Sequence, residues 1–314
     1  MKAITCEINI NNYIYTGVVS VQTESSYETL TDTCKITFPR KVKFESSKIT
    51  DLIKRGQPVA VELGYDNVNT AVFTGYIKKV KATIPVEIEC EDEMYALKQS
   101  SFTKSYEDVT LKQLLTDILP SEIQFQCVDF TFSNLRLTNV TACEVLDTLD
   151  SDYGLQSFFR NEKLYVGLNV WSENTVEHKI SFEKDILRDG NNLEYSIADD
   201  IQLKVVAKSI DDNNTTIEVE VGDKEGEQRT FYFYNKTEAE LTLLAEQELE
   251  KLKYDGYRGT FTTFGEPVIN HGDAINLTSE IYPERNGIYL VKSVKRNFGD
   301  KGYKQEVELD RIQS

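Results

Sequence analysis

Residues 55–92 read RGQPVAVELGYDNVNTAVFTGYIKKVKATIPVEIECED, and the reading of this stretch decides the fold. Val59, Val61 and Leu63 alternate with Ala60 and Glu62, the period of a strand with one covered face. A turn at Gly64-Tyr65-Asp66-Asn67 follows, and Val72 to Ile77 runs back in extended form, with Gly75 interrupting the strand where a bulge or a close backbone approach is expected. Val86, Ile88 and Cys90 then alternate with Glu87, Glu89 and Glu91, so one face is apolar and the other acidic. The stretch is an expected antiparallel meander of three strands.

The same order of signals returns at residues 271–310, HGDAINLTSEIYPERNGIYLVKSVKRNFGDKGYKQEVELD. Gly272 precedes alternating Ile275 and Leu277 as Gly56 precedes Val59 and Val61. Gly287 with Ile288 to Val291 stands where Gly75 with Tyr76 and Ile77 stands. Both stretches close on alternating apolar and acidic residues, Val86-Glu87-Ile88-Glu89 and Val307-Glu308-Leu309-Asp310. Two readings fit: turn glycines and alternating valines common to any two meanders, or two related β-domains in one chain.

Working outward, Ile4, Cys6, Ile8 and Ile10, then Val18, Val19 and Val21, then Cys34, Ile36 and Phe38 alternate as strands, and Pro39 ends the last. Ile49, Leu52 and Ile53 suggest a short helix at 49–54. Thr110-Leu-Lys-Gln113 and Thr141-Ala-Cys-Glu144 are capping-box patterns in front of one-sided apolar stripes, Leu111, Leu114, Leu115, Ile118 and Ala142, Val145, Leu146, Leu149. A hairpin is expected around Arg160-Asn161-Glu162-Lys163. Trp171, the single tryptophan, is read as a packing anchor. From Ile201 strands resume, with a turn at 211–214. Phe231-Tyr232-Phe233-Tyr234 is either a strand covered on both faces or an aromatic surface for stacking a sugar. Thr237-Glu-Ala-Glu240 caps a third helix, with Leu241, Leu244, Ala245, Leu249 and Leu252 inward and Glu246, Glu248 and Glu250 on its wet face. The expected fold class is mainly β with an α+β insert: two related β-barrel-like domains separated by a small α/β domain. The expected boundaries are a first barrel at 1–98, the insert at 99–170 and a second barrel with one helix at 171–314.

The serial order of Gly-x-x-Val-x-Val-x-Leu-Gly-Tyr-Asp, Val-Phe-Thr-Gly-Tyr-Ile and Ile-x-Cys-Glu-Asp resembles the first barrel of the bacteriophage tail baseplate hub proteins, the late control D family. Gly272-Asp273 and Asn286 to Tyr289 resemble that family's closing barrel, and Tyr153-Gly154-Leu155 before a hairpin is similar to its middle region. The chain departs from the pattern between Tyr282 and Asn286, where Pro283 sits and no counterpart of the Gly64-Tyr65-Asp66 turn is present. The resemblance implies a structural protein of a phage or prophage tail, a homotrimer whose six similar domains form a pseudo-six-fold ring joining tail tube to spike. The tube and spike proteins are the implied partners. It implies the virion baseplate as location, after assembly in the host cytoplasm, and no enzymatic activity. Catalytic residues, none; cofactors, none; metal ligands, none. The alternatives are the hub part of a type VI-like contractile injection system, whose chains usually continue into a needle, a carbohydrate-binding tail or surface β-protein, and a cell-wall hydrolase.

Composition sets bounds on these. A chain of 314 residues with 40% hydrophobic and 11% aromatic content can bury a sizeable core. The N-terminal MKAITCEINI has no apolar run of secretory length, and no later run approaches the roughly 18 residues of a membrane span, so a soluble cytoplasmic fold without membrane insertion is expected. The five cysteines form no Cys-x-x-Cys pair and are read as free thiols. A net charge of −17 argues against gripping nucleic acid, which requires clustered Lys and Arg; in a tube that passes DNA, the same acidity would keep the duplex off the wall. His178 and His271 are the two histidines, in different expected segments and without metal-ligand spacing. No nucleophile elbow or phosphate loop is present. Adjacent pairs such as Glu91-Asp92 point apart in strands, while two carboxylates distant in sequence remain free to converge.

Overall fold

A computed structural model describes residues 2–39, 52–81, 83–168, 176–211 and 215–312. The start of the helix expected at 49–54, Trp171 and most of the turn at 211–214 lie outside them; Leu52 and Ile53 lie inside, and Ile53 is buried. In the first part, β1 (Ile4–Ile10), β2 (Tyr13–Tyr15), β3 (Ser20–Ser26), β4 (Thr33–Phe38), β5 (Pro58–Tyr65), β6 (Val68–Lys81) and β7 (Val86–Glu91) are all antiparallel to their neighbours, in the order β2-β1-β5-β6-β7-β4-β3. The alternation at β5 does what its period dictates: Val59, Val61 and Leu63 are buried with Ile8, Ile36, Ile77 and Ile88 in one core. The turn is tighter than its sequence suggested. Only Asp66 and Asn67 form it, at φ 53° and 66°, the left-handed pair that a two-residue hairpin needs. Gly64 belongs to the strand, where a Cβ would lie 1.8 Å from the Val68 carbonyl oxygen.

The middle part begins with a single turn, α1 (Met94–Leu97), and continues through β8 (Ser101–Ser105), β9 (Asp108–Thr110), α2 (Leu111–Ile118), β10 (Gln124–Cys127), β11 (Thr131–Ser133), β12 (Arg136–Thr141), α3 (Ala142–Tyr153), β13 (Leu155–Arg160) and β14 (Lys163–Leu168). Both capping boxes are formed, with Thr110 Oγ1 accepting from the Gln113 N–H and Thr141 Oγ1 from the Glu144 N–H at 3.2 Å each. Gly154 ends α3 in the left-handed conformation. The short pairs β9–β11 and β8–β12 had no sequence signal because three to six residues carry too little alternation to stand out.

The last part holds β15 (Glu177–Ser181), β16 (Glu194–Ser196), β17 (Leu203–Ile210), β18 (Thr216–Gly222), β19 (Glu227–Tyr234), α4 (Glu238–Leu252), β20 (Gly256–Phe264), β21 (Ala274–Thr278), β22 (Gly287–Gly299) and β23 (Gly302–Ile312). The second meander is present as β21-β22-β23. Not every strand after Ile201 joins it: β18-β17-β19 is a separate sheet, with β19 parallel to β17 and α4 packed over Val205 and Ala207. On β19, Phe231 and Phe233 face the α4 core while Tyr232 and Tyr234 face the core of the middle part, so the strand is covered on both sides. Glu248 is a correction. It is buried rather than on the wet face of α4, because residue 248 falls three after Ala245 on the inward stripe, and it pairs with Lys251 at 2.8 Å and Arg311 at 3.4 Å.

The fold is mainly β with a smaller α+β part between. Its two β-rich parts share one sheet of thirteen strands among the described residues: β22 pairs with β3 as well as with β21 and β23, so eleven strands run unbroken from β2 to β16, and β21 with β15 branches from β22. Two apolar cores lie along it. Phe298 and Tyr303, from the end of the β22–β23 hairpin, fill the first core, and Val291, Val294, Val307 and Leu309 of the same hairpin fill the second.

Candidate functional site: a buried polar junction

Between these two cores the sheet carries a row of polar side chains. Register sets Thr23 of β3 opposite Arg296 of β22, Arg296 opposite Gln305 of β23, and Gln305 opposite Thr263 of β20. Directly opposed residues share a face, and the next residues on that face are two positions away. On one side these are Val21, Phe298 and Tyr303; on the other, Val294, Val307 and Phe261. All four row members are at most 3% exposed. A charge in that position survives only if it is bonded. The Arg296 Nη2 donates to Asn270 Oδ1 at 2.8 Å and to the Ile269 carbonyl, while the Gln305 amide donates to the carbonyls of Phe264 and Pro267 and accepts from the Ile269 N–H. The row therefore fastens the connection between β20 and β21.

That connection delivers the residues around Asp273. Arg160, at the end of β13, donates to Asp273 Oδ1 at 2.5 Å and to the His271 carbonyl at 3.4 Å. The His178 Nε2 lies 3.1 Å from Asp273 Oδ2, which also accepts from the Asn270 N–H at 2.9 Å. Burial alone would raise the Asp273 carboxyl, but the bonds from His178 and Asn270 and the Arg160 charge outweigh it and hold it below its ordinary value. His271 is pushed the other way. Burial, then the charges of Arg160 and Arg296, lower it to about 4, so it is neutral at pH 7.

The third wall comes from the first part. The Asp32 N–H donates to Asp92 Oδ2 and the Asp92 N–H to the Asp32 carbonyl, both at 3.1 Å; Asp32 Oδ1 accepts from the Ser26 N–H and Asp92 Oδ1 from the Met94 N–H. Burial raises Asp32 to about 6 against the bonds from Ser25 and Ser26 and the Arg296 charge, and it raises Asp92 together with the repulsion of Asp32. Glu93 is also raised, first by burial, although Thr74 Oγ1 donates to it at 2.9 Å. Asp32, Asp92, Glu93 and Thr74, the β13–β14 turn at Asn161 and Glu162, and His271 and Arg296 line a half-open cleft of about 420 Å³ where the three parts meet.

The fold thus brings His178 onto the Asp273 carboxylate two residues from His271, and it brings two aspartates sixty positions apart, Asp32 and Asp92, into mutual hydrogen bonds. Neither arrangement was visible from spacing. Among the described residues no group of three or more His, Cys, Asp or Glu is placed to hold a metal ion. All five cysteines are free, four of them buried. Arg296 and Gln305 were missed, although a signal existed: Val294, Arg296 and Phe298 keep the inward phase of β22, so Arg296 interrupts an apolar alternation. No helix among the described residues is long and apolar enough to cross a membrane.

No protein-family model matches the chain, and no curated protein matches it in sequence. Solved structures do share its fold. The 43 kDa tail protein of prophage MuSo2 from Shewanella oneidensis is 17% identical, with a TM-score of 0.64 over 98% of this chain and 98% of that one. The tail protein from Neisseria meningitidis MC58 is 13% identical, with a TM-score of 0.67 over 99% and 97%. The Escherichia coli c3393 protein, a type VI secretion component described as similar in structure to the T4 tail proteins gp27 and gp5, is 11% identical, with a TM-score of 0.60 over 98% of this chain and 77% of that one. The chain therefore has the fold of phage tail proteins and of a type VI secretion component, over nearly its whole length.

Proposed function

We propose that this chain is a structural subunit of a phage-type tail baseplate, a hub of which three copies close into a ring between tail tube and spike. The observation that carries the reading is the pair of meanders, β5-β6-β7 and β21-β22-β23, held in one continuous sheet in a chain whose fold matches two tail proteins end to end. Three copies of a chain with two such parts present six similar faces, and a closed ring needs repeated heterologous contacts between the first part of one copy and the last part of the next. The units of that ring are 1–98, 99–170 and 171–314, with β22 clamping the outer two. The role is assembly rather than turnover. In this reading the net charge of −17 keeps passing DNA from adhering to the wall. The virion baseplate is the proposed location.

Light scattering on the purified chain and averaged electron micrographs test the proposal. The expected result is a particle of three chain masses with six lobes, which does not retard duplex DNA at moderate salt. A stable monomer at about tens of micromolar, where weak symmetric contacts normally register, with no six-lobed ring, would rule the hub out.

A further inference from the structure

We propose that the contact closing the ring is made by strand β2 of one copy against the 279–286 loop of the next, with Ile14 and Ile281 as the side chains that meet. The contact rests on the ring of three proposed above and names the two surfaces that form it. Among the described residues, exposed large apolar side chains occur singly along the chain except at two places, Tyr13 with Ile14 and Ile281 with Tyr282, where the isoleucines are 64% and 67% exposed. Single ones are ordinary on a protein surface, whereas grouped ones mark contact sites. One group lies on the first part and the other on the last. A heterologous contact needs two different patches, and a chain that carries one of each closes a ring head to tail.

Both patches are set in place before any partner arrives. β2 pairs with β1, and its other edge has no partner strand among the described residues, the kind of edge that further chain joins readily. Tyr15 turns inward, its ring 5.1 Å from that of Phe38, and the strand's period of two sends Ile14 away from that core. The 279–286 loop is fixed by its own hydrogen bonds. The Ser279 N–H donates to Asn286 Oδ1 at 2.7 Å and the Tyr282 N–H to Ser279 Oγ at 3.0 Å, while the Glu183 carboxylate accepts from Ser279 Oγ at 2.5 Å and from the N–H groups of Glu280 and Ile281. Arg285 lies over the rings of Tyr282 and Tyr195, at 4.3 and 4.8 Å. A loop ordered in this way presents Ile281 and Tyr282 to water with little conformational freedom left to lose on docking. Tyrosine and arginine on such a frame are the residue types that carry binding energy at interfaces. Residues 282–286 are also where the sequence departs from the hub pattern, so the patch belongs to this chain in particular.

Light scattering and cross-linking of the full chain test the contact. Ile14→Glu and Ile281→Glu change exposed positions, so each variant should keep the parent's circular dichroism, and each should weaken association at least about tenfold, the factor that one buried isoleucine represents. Ile14→Lys combined with Ile281→Glu should recover part of that loss. A chain carrying both Ile14→Cys and Ile281→Cys should give covalent trimers with a short bismaleimide, whereas either cysteine alone, and the parent with its five native thiols, should run as single chains on a denaturing gel. If the parent forms a ring of three while either glutamate variant keeps the parent's affinity, or while the double-cysteine chain gives no covalent trimer, this contact is overturned and the hub reading stands. Covalent dimers from Ile14→Cys alone would show like surfaces meeting and overturn it as well. A parent that stays monomeric at about tens of micromolar overturns both.

Discussion

Gly75 and Glu87 lie in neighbouring strands yet answer to different physics. A Cβ at Gly75 would stand 2.1 Å from the Glu91 carbonyl oxygen and 2.8 Å from the Asp92 Cα, both backbone atoms that cannot swing aside. Gly75→Val should therefore cost about 3 kcal/mol or more. Glu87 is partly exposed and pairs with Lys35 at 3.1 Å, so Glu87→Gln should cost no more than about 1 kcal/mol. Denaturant melts of the two variants check this, and equal midpoints would contradict it. Asp32 gives a pH-dependent counterpart. Its folded-state value, about 6, lies above that of an unfolded Asp, so its contribution is fully present below about pH 4 and is lost as pH rises through 6. Asp32→Asn keeps the acceptor for the Ser26 N–H and removes the charge. Relative to the parent it should gain on the order of 2 kcal/mol between pH 4 and pH 8, read as a melting difference that grows with pH. His271 acts with the opposite sign: lowered to about 4, it contributes stability above pH 6.5 that is lost as pH falls toward 4.

At the scale of elements, the β13–β14 hairpin is held to the β20–β21 connection by Arg160. Asp273 is 1% exposed, and removing Arg160 would leave that carboxylate buried with His178 and the Asn270 N–H as its remaining partners. Breaking one side of a buried pair costs about 3 kcal/mol. Arg160→Ala should show that loss in denaturant melts together with faster amide exchange in β13 and β14, while exchange in β5 and β6 stays as it was. Uniform acceleration across the chain would mean that the hairpin is not separately latched. The same reasoning explains β19. Its period of two sends Phe231 and Phe233 to α4 and Tyr232 and Tyr234 to the middle part, which accounts for four consecutive aromatics without a ligand.

For the whole molecule, the controlling feature is the double use of β22. It is the central strand of the second meander and also covers the open edge of β3, and its hairpin with β23 places Phe298 and Tyr303 in the first core, where the Tyr65 hydroxyl donates to the Tyr303 carbonyl at 2.7 Å. A fragment comprising residues 1–98 would lose that partner strand and two buried aromatics. It should fail to unfold cooperatively and should aggregate through the exposed β3 edge. A cooperative melt of the fragment near the temperature of the full chain would show that the first part is self-sufficient.

The sequence by itself determined the elements whose causes are local. Alternation fixed the two meanders, three Thr-x-x-Gln/Glu boxes fixed the starts of α2, α3 and α4, and Gly154 fixed the end of α3, because a two- or four-residue period and a cap are properties of neighbouring residues. Tertiary structure alone decided the rest. That β22 joins β3 across about 270 positions, that β17 to β19 leave the main sheet, and that Asp32, Asp92, Arg160, His271 and Arg296 line one cleft depends on which edges and faces meet. The physical reason is that a strand's hydrogen bonds are satisfied equally well by any partner in register, so its sequence specifies a covered face without specifying the neighbour.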